Sequence, residues 1–145
     1  MWWKRIALLV TVGLAVAAVF AAESASFKVV VHRDSAVTEI GVGDLSRIYL
    51  ENTATWPDGS EATPVDMEQS TGLRKEFSKA VHGRNVDAIK SYWQRQIFSG
   101  NGVPPMEFSS EADVLFFVSE VPGAVGYVSD STPLTSGVKL LRVRD

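Results

Sequence analysis

Apolar positions recur at helical spacing in several stretches of the chain. Leu73, Phe77, Ala80 and Val81 fall at i, i+4, i+7 and i+8, and Val86, Ile89, Trp93 and Ile97 repeat the pattern after Gly83, which stops the first helix, and Asn85, which caps the second. A further helix opens at Ser110 with Glu111 and Asp113 in its first turn; Val114, Phe117, Val118 and Val121 line one side, and Pro122-Gly123 ends it. A shorter one begins with Asp44 as its cap and Leu45, Ile48 and Tyr49 as the inward stripe. Between these helices lie strand patterns. Phe27 to Val31 is apolar at nearly every position and β-branched, as in a strand covered on both faces. Val65, with Thr63 before it, Ala124 to Val128 and Gly137 to Val143 supply further strand character, and Gly126 points to a close approach by another backbone or a ligand. Strands alternating with helices predict an α/β fold with a largely parallel sheet flanked by helices.

The stretch Pro64 to Phe77 organises the rest. A strand runs into the polar loop Glu68-Gln69-Ser70-Thr71-Gly72, and the loop opens onto a helix. A helix start carries unpaired N–H donors and partial positive charge, so with Arg74 and Lys75 in the first turns it is a candidate anion seat. The competing reading is a plain cap, with hydroxyls satisfying the first N–H groups. A second candidate is the polar end of the first strand, His32-Arg33-Asp34-Ser35, where Arg33 and Ser35 are available as donors; its competing reading is a solvated loop with Asp34 as a cap. Trp56-Pro57-Asp58-Gly59 is turn chemistry with Trp56 as an anchor on the core.

Charge and composition narrow the function. Met1 to Arg5 is a short basic region, and Ile6 to Phe20 is an uncharged apolar run followed by small residues, the pattern of a signal peptide over 1–21 with cleavage between 21 and 26. An uncleaved membrane anchor is the rival. The remainder, 27–145, has the length of one domain. Without Lys4 and Arg5 the 14 basic residues fall to 12 against 17 acidic, a net charge of −5. That argues against nucleic acid as partner, and leaves the membrane as one only through the signal segment. The chain has no cysteine, and His32 and His82 lack paired spacing, so neither a metal nor a cofactor is expected. His82 falls in the last turn of its helix, where an imidazolium would favour the dipole. Nucleophile elbow, P-loop and H-E-x-x-H motifs are missing from the sequence, and an enzyme is not expected.

Asp44 to Leu50 followed by Trp56-Pro57-Asp58-Gly59 resembles the D-x-x-x-I-[FY]-x-G…W-x-D-G segment of phosphate-type periplasmic substrate-binding proteins. The resemblance continues in order through Pro64-Val65, Ser70-Thr71-Gly72 and Phe77 to Pro122-Gly123-Ala124-Val125-Gly126-Tyr127-Val128, similar to P-G-[AS]-[IV]-G-Y-V. It implies a compact periplasmic-binding-protein type II-like fold and a secreted binding module for phosphate or a similar small oxyanion. Ser35, Ser70, Thr71 and Gly72 would donate and Arg33 or Arg74 would supply charge, with an ABC importer permease or an envelope sensor as partner. The sequence departs from the R-x-[DE]-x-S-G-T loop of full-length phosphate binders, with Met67 where the Arg would stand and Leu73 in the place of the Thr. Asp66, Glu68 and Gln69 each stand near the acidic position. These departures, and about half the usual length, set up the alternative of a relative that has lost its ligand and serves protein–protein interaction or sensing.

Overall fold

The computed structural model describes residues 26–51 and 54–145. Strand β1 (Phe27–His32) is followed by a short β2 (Glu39–Gly41), helix α1 (Val42–Leu50) and β3 (Thr63–Met67). Helix α2 (Gly72–Phe77) runs straight into a π-helical turn (Ser78–His82), then come α3 (Val86–Phe98), a short β4 (Met106–Phe108), α4 (Glu111–Glu120), β5 (Ala124–Ser129) and β6 (Val138–Arg144). The signal segment expected over 1–21 lies outside the described residues, among which no helix is long and apolar enough to cross a membrane.

All six strands form one sheet in the order β2-β6-β1-β5-β3-β4. The β2–β6, β5–β3 and β3–β4 pairs are parallel, whereas β1 is antiparallel to both of its neighbours, β5 and β6. Five strands therefore share one direction and β1 alone opposes them, so the expected largely parallel sheet holds with a central reversal. Val29, Val30 and Val31 of β1 are buried, as an apolar run between two neighbours requires.

The two faces of the sheet are separated by alternation along β5. A Cβ on Gly126 would come within 2.7 Å of Val114 and 3.0 Å of Val65, so α4 packs against this face so closely that a side chain is excluded; the approaching groups are side chains, neither a backbone nor a ligand. The next residue, Tyr127, turns to the other face and stacks on Phe77 of α2 at 3.8 Å between ring centroids, with Tyr49 of α1 in the same cluster. Trp56 is buried and its indole N–H donates to the Gly123 carbonyl at 3.1 Å, anchoring the turn.

Several helix ends are as expected. Asn85 and Ser110 accept from Ala88 N and Asp113 N, and Gly83 ends the π-helical turn at φ +63°. Asp44 differs: the cap position of α1 is Gly41, and Asp44 sits in the first turn with Arg47 at 3.0 Å. The inner face of α2 also differs. It presents Arg74, Phe77, Ser78 and Val81, while Leu73 is half-buried and Ala80 is exposed. The π-helical turn takes more residues per turn than an α-helix and carries Ala80 off the inner face, and Arg74 and Ser78 are buried because the structure gives them polar partners. Ile97, at the end of the α3 stripe, is 52% exposed because the helix runs past the core.

Candidate functional site

β3 and β5 pair only at Thr63–Ala124 and Pro64–Val125, then separate. Beyond that point backbone groups need other partners. The Tyr49 hydroxyl donates towards the Val65 and Val125 carbonyls at 2.9 and 3.3 Å, and Met67 N donates to the Tyr127 hydroxyl at 3.2 Å. The opening lies at the carboxyl end of β3, the side of an open α/β sheet where ligands bind. Loop 68–72 comes immediately after it.

Asp66 sits in this opening with its side chain only 6% exposed. Its Oδ1 accepts from Tyr127 Oη and from Met67 N, and lies 3.3 Å from Arg74 Nη1. Arg74 Nη1 also donates to the Met67 carbonyl at 2.7 Å and to Glu107 Oε1 at 3.2 Å. Burial pushes the Asp66 carboxyl up to about 6, the Arg74 charge and the Tyr127 hydrogen bond opposing only part of that. The Tyr127 and Tyr49 hydroxyls are both pushed far above their ordinary range, chiefly by burial and then by the Asp66 charge. Arg74, expected to supply charge to an anion, is thus turned inward onto two carboxylates.

Thr71 caps α2. Its hydroxyl accepts from Arg74 N at 3.2 Å and donates to the Glu68 carbonyl at 2.8 Å, which uses its one proton. The N–H groups of Gly72 and Leu73 and the Ser70 hydroxyl have no partner among the described residues. Ser70 lines an open cleft of about 710 Å³ along the outer side of α2, together with Lys75, Lys79, Arg84 and Asn85. Three cations against the single carboxylate of Asp87 make this a basic cleft on an acidic chain. Lys79 and Arg84 were not among the sequence candidates, although the i, i+4 spacing of Lys75 and Lys79 puts both on one exposed side of the helix.

Arg33 and Ser35 lie elsewhere. Val31 of β1 pairs with Val125 at the amino end of β5, so the residues after β1 emerge at the amino end of β3, and loop 68–72 at its carboxyl end. Five residues of strand hold the two loops on the order of 15 Å apart. Arg33 and Ser35 therefore do not join Ser70, Thr71 and Gly72 around one small anion. Their own turn is closed from within: Ser35 N donates to the His32 carbonyl, Val37 N to Ser35 Oγ, and Asp34 N to His32 Nδ1. Arg33 is exposed beside Asp34, and both border a second cleft of about 570 Å³ with Phe116 and Glu120.

His82 lies in the last turn before Gly83. It is half-buried against the rings of Tyr49 and Phe77 and shares a 2.7 Å hydrogen bond with Ser46 Oγ. Burial, followed by Arg74 and Arg84, lowers it to about 4, so at neutral pH the ring is uncharged and no imidazolium favours the helix end. No group of His, Asp and Glu that could hold a metal ion occurs among the described residues.

No family model and no curated protein matches this sequence. The fold does match solved structures. A protein from Clostridium perfringens, proposed to be a phosphate ABC transporter substrate-binding protein and solved with bound phosphate, aligns with a TM-score of 0.64 at 17% identity, over 81% of this chain and 44% of its own. An ABC-type phosphate transport receptor from Vibrio cholerae aligns with a TM-score of 0.63 at 20% identity, over 81% of this chain and 46% of its own. PstS from Borrelia burgdorferi aligns with a TM-score of 0.56 at 15% identity, over 81% and 47%. The chain thus spans less than half the length of these proteins. Its mixed α/β sheet, with helices on both faces, has the fold of part of a phosphate-type substrate-binding protein, as the sequence motifs imply.

Proposed function

We propose that this chain is an exported, single-domain binding module for phosphate or a similar small oxyanion, held at the start of α2, and that it serves an importer or a sensor of the cell envelope. The carrying observation is the basic cleft beside that helix start, which Ser70, Lys75, Lys79 and Arg84 line; at the same helix start the Gly72 and Leu73 N–H groups have no partner among the described residues. The fold supports it, because the solved proteins that share it are phosphate receptors by description. In this reading Ser70 and the Gly72 backbone donate, the two lysines and Arg84 supply charge, Thr71 shapes the loop as its cap, and Arg74 holds the loop to β3. Arg33 and Ser35 take no part. In this reading binding, with no bond made or broken, is the whole activity.

The test is isothermal titration of the purified chain with phosphate and with sulfate, for wild type and for Lys75→Glu/Lys79→Glu. Wild type should release heat with at least one oxyanion. The double variant loses two charge-assisted contacts of about 1.5 to 3 kcal/mol each, so its affinity should fall by a hundredfold or more, at about 1.4 kcal/mol per decade. Both residues are exposed, and the melting temperature should stay where it was. Equal binding by both proteins would refute the site.

A second reading rests on a different observation. Ile97, Phe98, Val103 and Met106 are 52%, 96%, 76% and 58% exposed around β4, which is an edge strand. Large exposed apolar groups beside a free sheet edge favour a protein-interaction role. A wild type without heat from any oxyanion, but retaining an envelope partner in pull-down, would support this alternative.

A further inference from the structure

At the carboxyl end of β3, α3 and the Pro104-Pro105 segment border a cavity of about 210 Å³, which shares Gln69 of loop 68–72 with the basic cleft. Arg74 and Asp66 both line it, and both are buried. The contacts of Arg74 run through Nη1, which leaves Nε and Nη2 without a partner among the described residues. Those of Asp66 run through Oδ1, which leaves Oδ2 in the same position. No fully enclosed side-chain nitrogen or oxygen lacks a partner among the described residues, so these atoms keep some accessible surface, and the cavity is a space that both residues border. Two buried ionic groups thus offer unused donors and an unused acceptor to one small volume.

The rest of the wall sets the occupant's chemistry. Lys90 and Glu107 line the cavity as well, so the lining carries two cations and two carboxylates and no net charge. A lone anion or a lone cation would satisfy one pair and repel the other. Gln69 and Gln94 add amides that donate and accept, and Trp93 and Ile97 form an apolar side. The volume equals about seven waters at their liquid share of about 30 Å³, well below the roughly 300 Å³ at which drug-sized sites begin. It suits a molecule of roughly ten non-hydrogen atoms or fewer.

We propose that this cavity is a binding site for a small apolar α-amino acid, its carboxylate on Arg74 and Lys90, its ammonium on Asp66 and Glu107, and its side chain against Trp93 and Ile97. The proposal does not rest on the oxyanion seat, although Gln69 borders both spaces. Asp66 is mostly ionised at pH 7.5, where the ammonium needs it.

The experiment is isothermal titration of the full chain at pH 7.5 with glycine, alanine, valine, leucine and phenylalanine, and with two analogues of leucine, 3-methylbutylamine and 4-methylpentanoate, which lack its carboxylate and its ammonium. At least one amino acid should bind. Each analogue should bind about tenfold or more weakly than leucine, the loss expected for one hydrogen-bonded charge. Lys90→Gln, at an exposed position, should weaken amino-acid binding by about tenfold without moving the melting temperature. Gln94→Trp, which fills the mouth, should abolish it. No heat from any of the amino acids at millimolar concentration would overturn the proposal. So would an analogue that binds as tightly as leucine, or Lys90→Gln and Gln94→Trp proteins that bind as wild type does. Phosphate binding through Lys75 and Lys79 is scored in separate titrations, so either site can fail without the other.

Discussion

Replacing Arg74 by Met keeps an unbranched side chain at the inner face of α2 and removes the charge that faces Asp66. The substitution causes two losses. One does not depend on pH: the Met67 carbonyl loses its 2.7 Å donor, worth about 1 to 3 kcal/mol when left unmet in the interior. The other is proton-linked. In the wild type the Asp66 carboxyl is raised from 3.8 to about 6, so the folded protein binds more protons than the unfolded chain between those values. Stability therefore falls as pH rises through that window and is level with respect to this group above it. Arg74 is the strongest influence holding the value down, so without it the window extends upward. Where the folded form holds one proton and the unfolded form none, stability falls by about 1.4 kcal/mol per pH unit. From pH 6.5 to 8, Arg74→Met should lose about 2 kcal/mol more than wild type. Urea denaturation at pH 5, 6.5 and 8 gives both quantities. The gap between the proteins should be smallest at pH 5, and adding Asp66→Asn should remove the slope while leaving the offset. Two parallel curves, separated by the same amount at every pH, would refute the coupling.

Phe77→Ala removes a ring that is fully buried and stacked on Tyr127, and should cost about 3 to 5 kcal/mol in the same denaturation assay. His82 is lowered to about 4, so the unfolded chain takes up its proton first, and stability is lost as pH falls from 6.5 through 4. His82→Gln should therefore resist acid better than wild type by about 3 kcal/mol at pH 4 in denaturant titrations, before any pH-independent change from the lost Ser46 contact. Thr71→Ala should lower stability by about 1 kcal/mol and leave phosphate titration unchanged, because the hydroxyl proton is already given to Glu68.

Local chemistry was legible in the sequence wherever a residue acts on its own neighbours. Asn85 and Ser110 cap the helices that begin beside them, Gly83 has the positive φ of a helix stop, and Trp56 anchors its turn. Hydrophobic spacing alone fails where a polar residue faces inward. Arg74 and Ser78 occupy the inner face of α2 because Asp66, Glu107 and the Arg84 carbonyl meet them, and those partners are six or more residues away in the chain. Without that knowledge the pattern nominates Leu73 and Ala80. β2 and β4 are three residues each, too short for an alternation to register.

Strand direction was the costlier omission. A run such as Phe27 to Val31 reads the same whichever way its neighbours point; only the pairing of Val31 with Val125 and of Val30 with Leu140 shows that β1 opposes both. That single reversal decides which loops share an end of the sheet. If β1 ran with its neighbours, the loop carrying Arg33 and Ser35 would emerge beside Ser70, and the two candidate sets would form one site. Because it runs against them, its polar end falls at the opposite end of the sheet, and the cations of the basic cleft come from α2 and the turn after it. Lys75, Lys79 and Arg84 stand there, and of the six residues named from the sequence only Ser70 and the Gly72 backbone keep a donor role in the proposed seat.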